Sequence, residues 1–204
     1  MPHFDASRHA ERFGRVGLLA LVLMLAITGM PPVQAQKPSQ KQAASEVLDL
    51  PATLAGFQKG IFTDFEPEHP GLGYRINYRR DGWSGDIYVY DLRLQGIPSD
   101  PRSNVMVSQF EQAKGDVLAM QANGSYANVS FGREFDVAGA PRQPKFRCVA
   151  ISLDRKDGGA LDSYLCLGGN RGKFVKVRLS TPKRDGNEAM ARQFVEQLAQ
   201  ALAG

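Results

Sequence analysis

Residues that build reactive centres are scarce in this sequence, which holds three histidines, two cysteines and one tryptophan among 204 residues. His3 and His9 lie in the basic N-terminal leader, so His69 is the single histidine beyond it. A paired-histidine metal site is therefore excluded from the chain beyond that leader. A Ser-His-Asp triad would have to use His69, which stands between two prolines in "FEPEHPGLG", and no Gly-x-Ser-x-Gly elbow accompanies it. A phosphate-cradling glycine loop is also missing. The stretch "LGGNRG", Leu167 to Gly172, sits between two strand-like runs rather than before a helix and reads as a β-turn. No cofactor and no metal are expected. The oxygen-rich "TDFEPEH", with Asp64, Glu66, Glu68 and His69, lacks the glycine-punctuated spacing of a calcium loop and reads as a solvated acidic loop.

Long apolar runs are absent as well. The longest, "VGLLALVLMLAI" from Val16 to Ile27, falls short of the ~20 residues that span a bilayer. Arg8, Arg12 and Arg15 precede it, Gly29, Pro31 and Pro32 follow, and Val33 and Ala35 form a small-x-small pattern. This is the pattern of a secretory signal peptide over residues 1–35, cut before Gln36, with no membrane span left after cleavage. Its loss removes three arginines and two acids, which lowers the net charge from +4 to +3. The expected address is the periplasm or the medium, where nucleic acid is not an expected partner. Residues 36–47 are polar and without period, a flexible lead into a single domain over residues 48–204.

Within that domain, "GYRINYRRDGWSGDIYVY" presents two alternating runs joined by Asp81-Gly82, a hairpin signal. Pairing Arg80 with Trp83 sets Tyr78 opposite Gly85, Ile76 opposite Ile87 and Tyr74 opposite Val89 on an apolar face. The other face carries Arg79 with Ser84, Asn77 with Asp86 and Arg75 with Tyr88. "GFQKGIFTDF", Gly56 to Phe65, is expected to form a strand before this pair. Met106, Phe110, Ala113, Val117 and Met120 recur at helical spacing, with Ser103 or Asn104 as the cap and Gly124 at the end. Strand-like runs follow at about 126–135, 145–153, 161–168 and 173–180. A final helix carries Met190, Phe194, Leu198 and Leu202 on one stripe, with Asp185 and Glu188 placed as a capping box. Three strands, a helix, four strands and a helix, joined mostly by hairpin-length loops, predict an α+β fold: an antiparallel sheet with two packed helices.

The two cysteines fall within this scheme. If Lys156-Asp157-Gly158 is the turn, Arg155 closes against Gly159, and counting outward sets Cys148 opposite Cys166 at a non-hydrogen-bonded pair. Such pairs hold their Cα atoms ~4.5 Å apart, within disulfide range. An exported chain with cysteines so placed is expected to carry a structural disulfide. A redox-active pair would instead be spaced Cys-x-x-Cys at a helix start.

The segment "GYRINYRRDGW", Gly73 to Trp83, resembles the Gly-aromatic-x-apolar-x-aromatic...Trp opening strand of the PsbP and Mog1-like αβα sandwich group, with Arg79 where that group carries proline. The resemblance implies a binding or assembly module without catalytic residues, so no site residue carries over.

Two surfaces remain. The polar hairpin face gathers Arg75, Arg79, Asn77, Asp86 and Tyr88, residue types that serve both ordinary sheet packing and partner recognition, and Arg75 is placed to make a cation–π pair with Tyr88. Lys173, Lys176 and Arg178 read as the solvated face of a later strand. The expected function is a non-catalytic binding or assembly module of the cell envelope, taking a protein or an anionic envelope polymer at Arg75, Arg79 and Tyr88. The alternative is a carboxylate-based hydrolase of envelope glycans, which needs two acids flanking a groove.

Overall fold

A computed structural model describes residues 49–138 and 145–203; the leader and the whole lead segment lie outside the described residues. The elements run β1 (Thr53–Leu54), β2 (Phe57–Asp64), β3 (Tyr74–Arg80), β4 (Trp83–Tyr90), α1 (Asn104–Ala122), β5 (Asn128–Ala138), β6 (Lys145–Asp154), β7 (Ala160–Asn170), β8 (Lys173–Pro182) and α2 (Asn187–Ala201). The strands form one antiparallel sheet in the order β1-β2-β3-β4-β8-β7-β6-β5. This is the expected α+β arrangement, with the two-residue β1 added at one edge.

The β3–β4 register is Arg80 with Trp83 through Tyr74 with Val89. Of the turn pair only Gly82 takes a positive φ, 69°. The β6–β7 turn closes between Arg155 and Gly159, the amide of Arg155 donating to the carbonyl of Gly159 at 2.8 Å. Gly158 sits at φ 88°. That closure puts Cys148 opposite Cys166, with Cα atoms 4.0 Å apart and the sulfurs bonded. Between β7 and β8, Arg171 and Gly172 at φ 47° and 74° make the tight turn expected of "LGGNRG".

The two helices cover opposite sheet faces. Beneath α2 lie Tyr74, Ile76, Tyr78, Ile87, Val175, Val177, Leu179 and the cysteine pair, packed on Ala191, Phe194, Val195 and Leu198. Beneath α1 lie Val149, Ile151, Leu153, Leu165 and Leu167, packed on Met106, Phe110, Ala113 and Val117. Both long edge strands change the face they present part-way along. A register shift between Phe131 and Glu134 leaves Val129 under α1 but turns Phe135 and Val137 toward α2. A shift between Lys59 and Phe62 likewise keeps both Phe57 and Phe62 on the α2 side. An extra residue in a strand reverses the period-2 alternation beyond it, which is how odd and even positions serve one core.

Several local expectations need correction. Met120 is exposed, because the helix turns its last apolar residue off the sheet before the chain leaves at Asn123. Asp185 and Glu188 do not form a capping box. The N-cap of α2 is Gly186 at φ 83°, without a side-chain bond, and Glu188 instead pairs with Arg192 and Arg133, each at 2.8 Å. Asn187 ties that corner down, its amide donating to the Asp162 carboxylate at 2.8 Å and to the Pro182 carbonyl at 3.1 Å. Ser103 caps α1 as expected. The acidic loop is organised internally: Glu66 accepts from the amides of Gly71 and Gly73, and Asp64 accepts from the amide of Glu66.

α1 is clamped to the far edge of the sheet by charge. Glu134 accepts from Arg147 at 2.6 Å and from Lys114 at 3.1 Å, and both cations lie against the Phe110 ring. Burial alone would raise the Glu134 carboxyl, but the hydrogen bonds and charges of Arg147 and Lys114 outweigh it and hold the group below the usual glutamate range. A depressed carboxyl contributes stability above its unfolded pKa of ~4.3 and loses it as the pH falls through the lower folded value. Glu134→Gln is therefore expected to lower the thermal midpoint at neutral pH and to flatten its fall toward about pH 3, read by thermal melts at several pH values. A variant whose melting falls with acid as steeply as the parent would contradict this.

Candidate functional site

α1 covers only half of its sheet face. Three cross-strand rows show where the cover stops. The first runs Thr63, Arg75, Tyr88, Lys176, Leu167; the second Asn77, Asp86, Arg178, Leu165; the third Gln58, Arg79, Ser84, Ser180, Ser163. The members on β2, β3, β4 and β8 are polar apart from the Tyr88 ring, which rests against the α1 core, and the rows end at β7 on Leu167, Leu165 and Ser163, all buried. No described element covers the polar half, and Gln58 and Arg79 are exposed there.

β8 pairs with β4, so the two surfaces read separately in the sequence form one. Tyr88 faces Lys176 and Asp86 faces Arg178 across that ladder. The pairing joins segments some ninety positions apart, and only the complementary identities of Asp86 and Arg178 hinted at it in the sequence. The third member, Lys173, lies elsewhere and pairs with Asp91 at 3.0 Å.

The cation over Tyr88 is not Arg75, as its register position had implied, but Lys176, whose ammonium lies 5.0 Å from the Tyr88 ring and 5.6 Å from that of Tyr90. Arg75 reaches sideways instead. Its Nη2 donates to Thr63 Oγ1 at 3.3 Å, its Nε lies 3.9 Å from Asp86 Oδ1, and that buried Nε makes no hydrogen bond among the described residues. Asn77, buried beneath them, donates to the Gly85 carbonyl at 3.0 Å and to Asp86 Oδ1 at 3.1 Å. Asp86 is thus engaged from the β3 side.

Burial raises the Tyr88 hydroxyl and Asp86 adds to this, opposed by the nearby guanidiniums of Arg75 and Arg178. Tyr90 is pushed up to about 12 by burial, although its oxygen accepts from Gln109 of α1 at 3.0 Å. Lys176 is pushed down by burial, against the attraction of Asp116 on α1. α1 therefore forms a wall beside the open face, with Gln109 and Asp116 along it. A recess of about 700 Å³ continues from the third row to the β3–β4 turn, lined by Arg79, Ser84, Trp83 and Ser180 and carrying Asp81 as its one carboxylate.

Arg75, Arg79 and Tyr88 stand together on this face; Cys148 and Cys166 lie on the other, buried under α2. Among the described residues no three His, Cys, Asp or Glu side chains gather as metal ligands. No helix among them is long and apolar enough to cross a membrane.

No protein-family model matches the sequence, and no curated protein matches it. Among solved structures the chain is similar to two proteins, PsbP and Mog1. It is similar to the cyanobacterial PsbP protein CyanoP from Synechocystis, with a TM-score of 0.41 and 13% identity over 74% of this chain and 91% of that one. It is also similar to the Ran-binding protein Mog1p of Saccharomyces cerevisiae, with a TM-score of 0.35 and 12% identity over 74% and 93%. A single-residue mutant of Mog1 gives a TM-score of 0.35 and 14% identity over 69% and 82%. At such scores and identities the likeness does not extend to the residues of the site. Both names fall in the group that Gly73 to Trp83 resembles.

Proposed function

We propose that this chain is an exported, non-catalytic binding or assembly module of the cell envelope that holds a protein partner on the open half of the sheet, centred on Arg75, Arg79 and Tyr88. The observation that carries this is the division of one sheet face, apolar and helix-covered at β5 to β7 but polar, arginine- and tyrosine-bearing and covered by no described helix or strand at β2 to β4 and β8. Three polar rows of a central sheet that no described helix covers offer a place for a partner to pack, and Arg and Tyr are the residue types that concentrate binding energy. The address rests on the leader over residues 1–35 and on the pairing of the only two cysteines, a bond that persists in oxidising compartments. On this reading the mature protein begins at Gln36, with a lead to residue 47 and the domain over 48–204.

A glycan hydrolase built on two facing carboxylates finds no support in the recess, which offers Asp81 alone. The test is capture of partners from envelope extract on the immobilised mature protein, beside Arg75→Ala, Arg79→Ala and Tyr88→Ala. The expected result is a protein retained by the parent and reduced about tenfold or more by at least Arg75→Ala and Tyr88→Ala. Equal recovery on all four proteins would remove the face from consideration. Cleavage of peptidoglycan by the purified protein, lost on substitution of one acid, would overturn the module reading.

A further inference from the structure

Arg178 stands out among the cations of the open face. Register sets Asp86 directly across from it on β4, yet Asp86 turns its carboxylate to Asn77 and toward Arg75, and no ion pair joins it to Arg178. Arg178 makes no hydrogen bond or ion pair with any described residue. The groups that act on it are the hydroxyls of Tyr88 and Tyr126 and the like charge of Lys176, two positions along β8. Among the described residues Lys176 also has no acidic partner within pairing distance, and it rests on Tyr88 and Tyr90. Half-buried cations are ordinarily paired, because taking them from water without a partner is costly.

We infer that Arg178 and Lys176 form a receptor for a single carboxylate, supplied by an acidic side chain of the protein partner that docks on the open face. The inference rests on the binding-face reading above and names the chemistry of its centre. The guanidinium fork of Arg178 matches a carboxylate through two parallel N–H donors, and the Lys176 ammonium adds a third donor one row away. The local charge count selects the ligand. Arg75, Lys176 and Arg178 face Asp86 below and Asp116 from α1, leaving one net positive charge, which suits a monoanion better than a phosphate dianion or a uniformly charged polymer. Burial lowers Lys176 in the free protein, and a bound anion would reverse that cost. Tyr88 and Tyr126, both part-buried against the α1 core, wall the site with apolar surface that strengthens a charge-assisted bond within it.

The probe is N-acetyl-glutamate amide, which carries one carboxylate, titrated into the ¹⁵N-labelled mature protein and followed at the Arg178 Nε–H and at the amides of β4 and β8. N-acetyl-glutamine amide and inorganic phosphate serve as comparisons. The expected result is a saturable shift centred on Arg178 and Lys176 with the carboxylate, none with the neutral amide, and weaker saturation with phosphate. Arg178→Gln should weaken carboxylate binding at least about tenfold, and Asp86→Asn should strengthen it by removing a repelling charge. Lys176→Met, expected to weaken binding in the same direction, keeps the test open if Arg178→Gln does not fold. No saturable shift, an equal response to the neutral amide, or tighter phosphate binding would overturn the assignment. If partner capture is lost in Arg75→Ala and Tyr88→Ala while the carboxylate probe leaves Arg178 unmoved, the binding face stands and the carboxylate receptor falls.

Discussion

Phe194→Ala is expected to cost about 3–5 kcal/mol of folding stability, among the largest effects of any single side chain in this protein. Phe194 is fully buried at the centre of the α2 face, with its ring 4.8 Å from that of Phe57 and 5.7 Å from that of Tyr78, both edge-on. Through Phe57 it joins the N-terminal edge of the sheet to α2, and through Tyr78 it joins α2 to the hairpin that bears Arg75 and Arg79. The site cannot collapse easily around alanine. Gly85 lies below it, where even an added Cβ would meet Leu179 at 2.7 Å and the Phe194 ring at 3.8 Å, so the surrounding residues are already in contact. The lost transfer energy and the remaining cavity therefore add. Denaturant unfolding should show the midpoint falling with little change in slope. A loss below about 1 kcal/mol would mean that α2 is held to the sheet by something other than this contact.

The second large effect is expected from the cysteines. Their bond closes a loop with a sequence separation of 18, for which the chain-entropy account gives about 3 kcal/mol. Both cysteines are buried in the α2 core, so Cys148→Ala with Cys166→Ala also loses packing. Comparison of the oxidised protein with the double variant, by denaturant unfolding, should show a loss of about 3 kcal/mol or somewhat more. Equal stability would mean that the two strands are fixed by their ladder and core contacts alone. The open face is built from β3, β4 and β8 and should keep its geometry in the double variant under conditions where the variant stays folded.

The features legible in the sequence are those encoded over short distances. Asp81-Gly82 and Lys156-Asp157-Gly158 are turns whose closure fixes every pair in the adjoining strands, so the alignment of Arg75 with Tyr88 and of Cys148 with Cys166 followed from local counting. The stripe Met106, Phe110, Ala113, Val117 likewise placed α1 correctly, because helical spacing and burial coincide within a few turns. What the sequence did not disclose depends on distant pairing. The neighbour of β4 is β8, and no turn joins them; the union of Arg75 and Tyr88 with Lys176 and Arg178 is a product of that ladder. The partners of charged side chains were also out of reach, since Arg75 chooses Thr63 over the Tyr88 ring and Asp86 is drawn to Asn77 rather than to Arg178. Met120 and Asp185 departed from their motifs for a related reason. Periodicity and capping spacing state which residues are eligible, and the direction in which the chain leaves the element decides whether they are used.

The most direct measurement of the central claim is site-resolved photo-crosslinking in envelope extract. A photoreactive residue is placed at Ser84, in the third row of the open face, and in a second protein at Gln193, exposed on the outer side of α2. The binding-face account predicts a discrete protein adduct from position 84, suppressed by Arg75→Ala, and none from position 193. An adduct from position 193 with none from position 84 would contradict it.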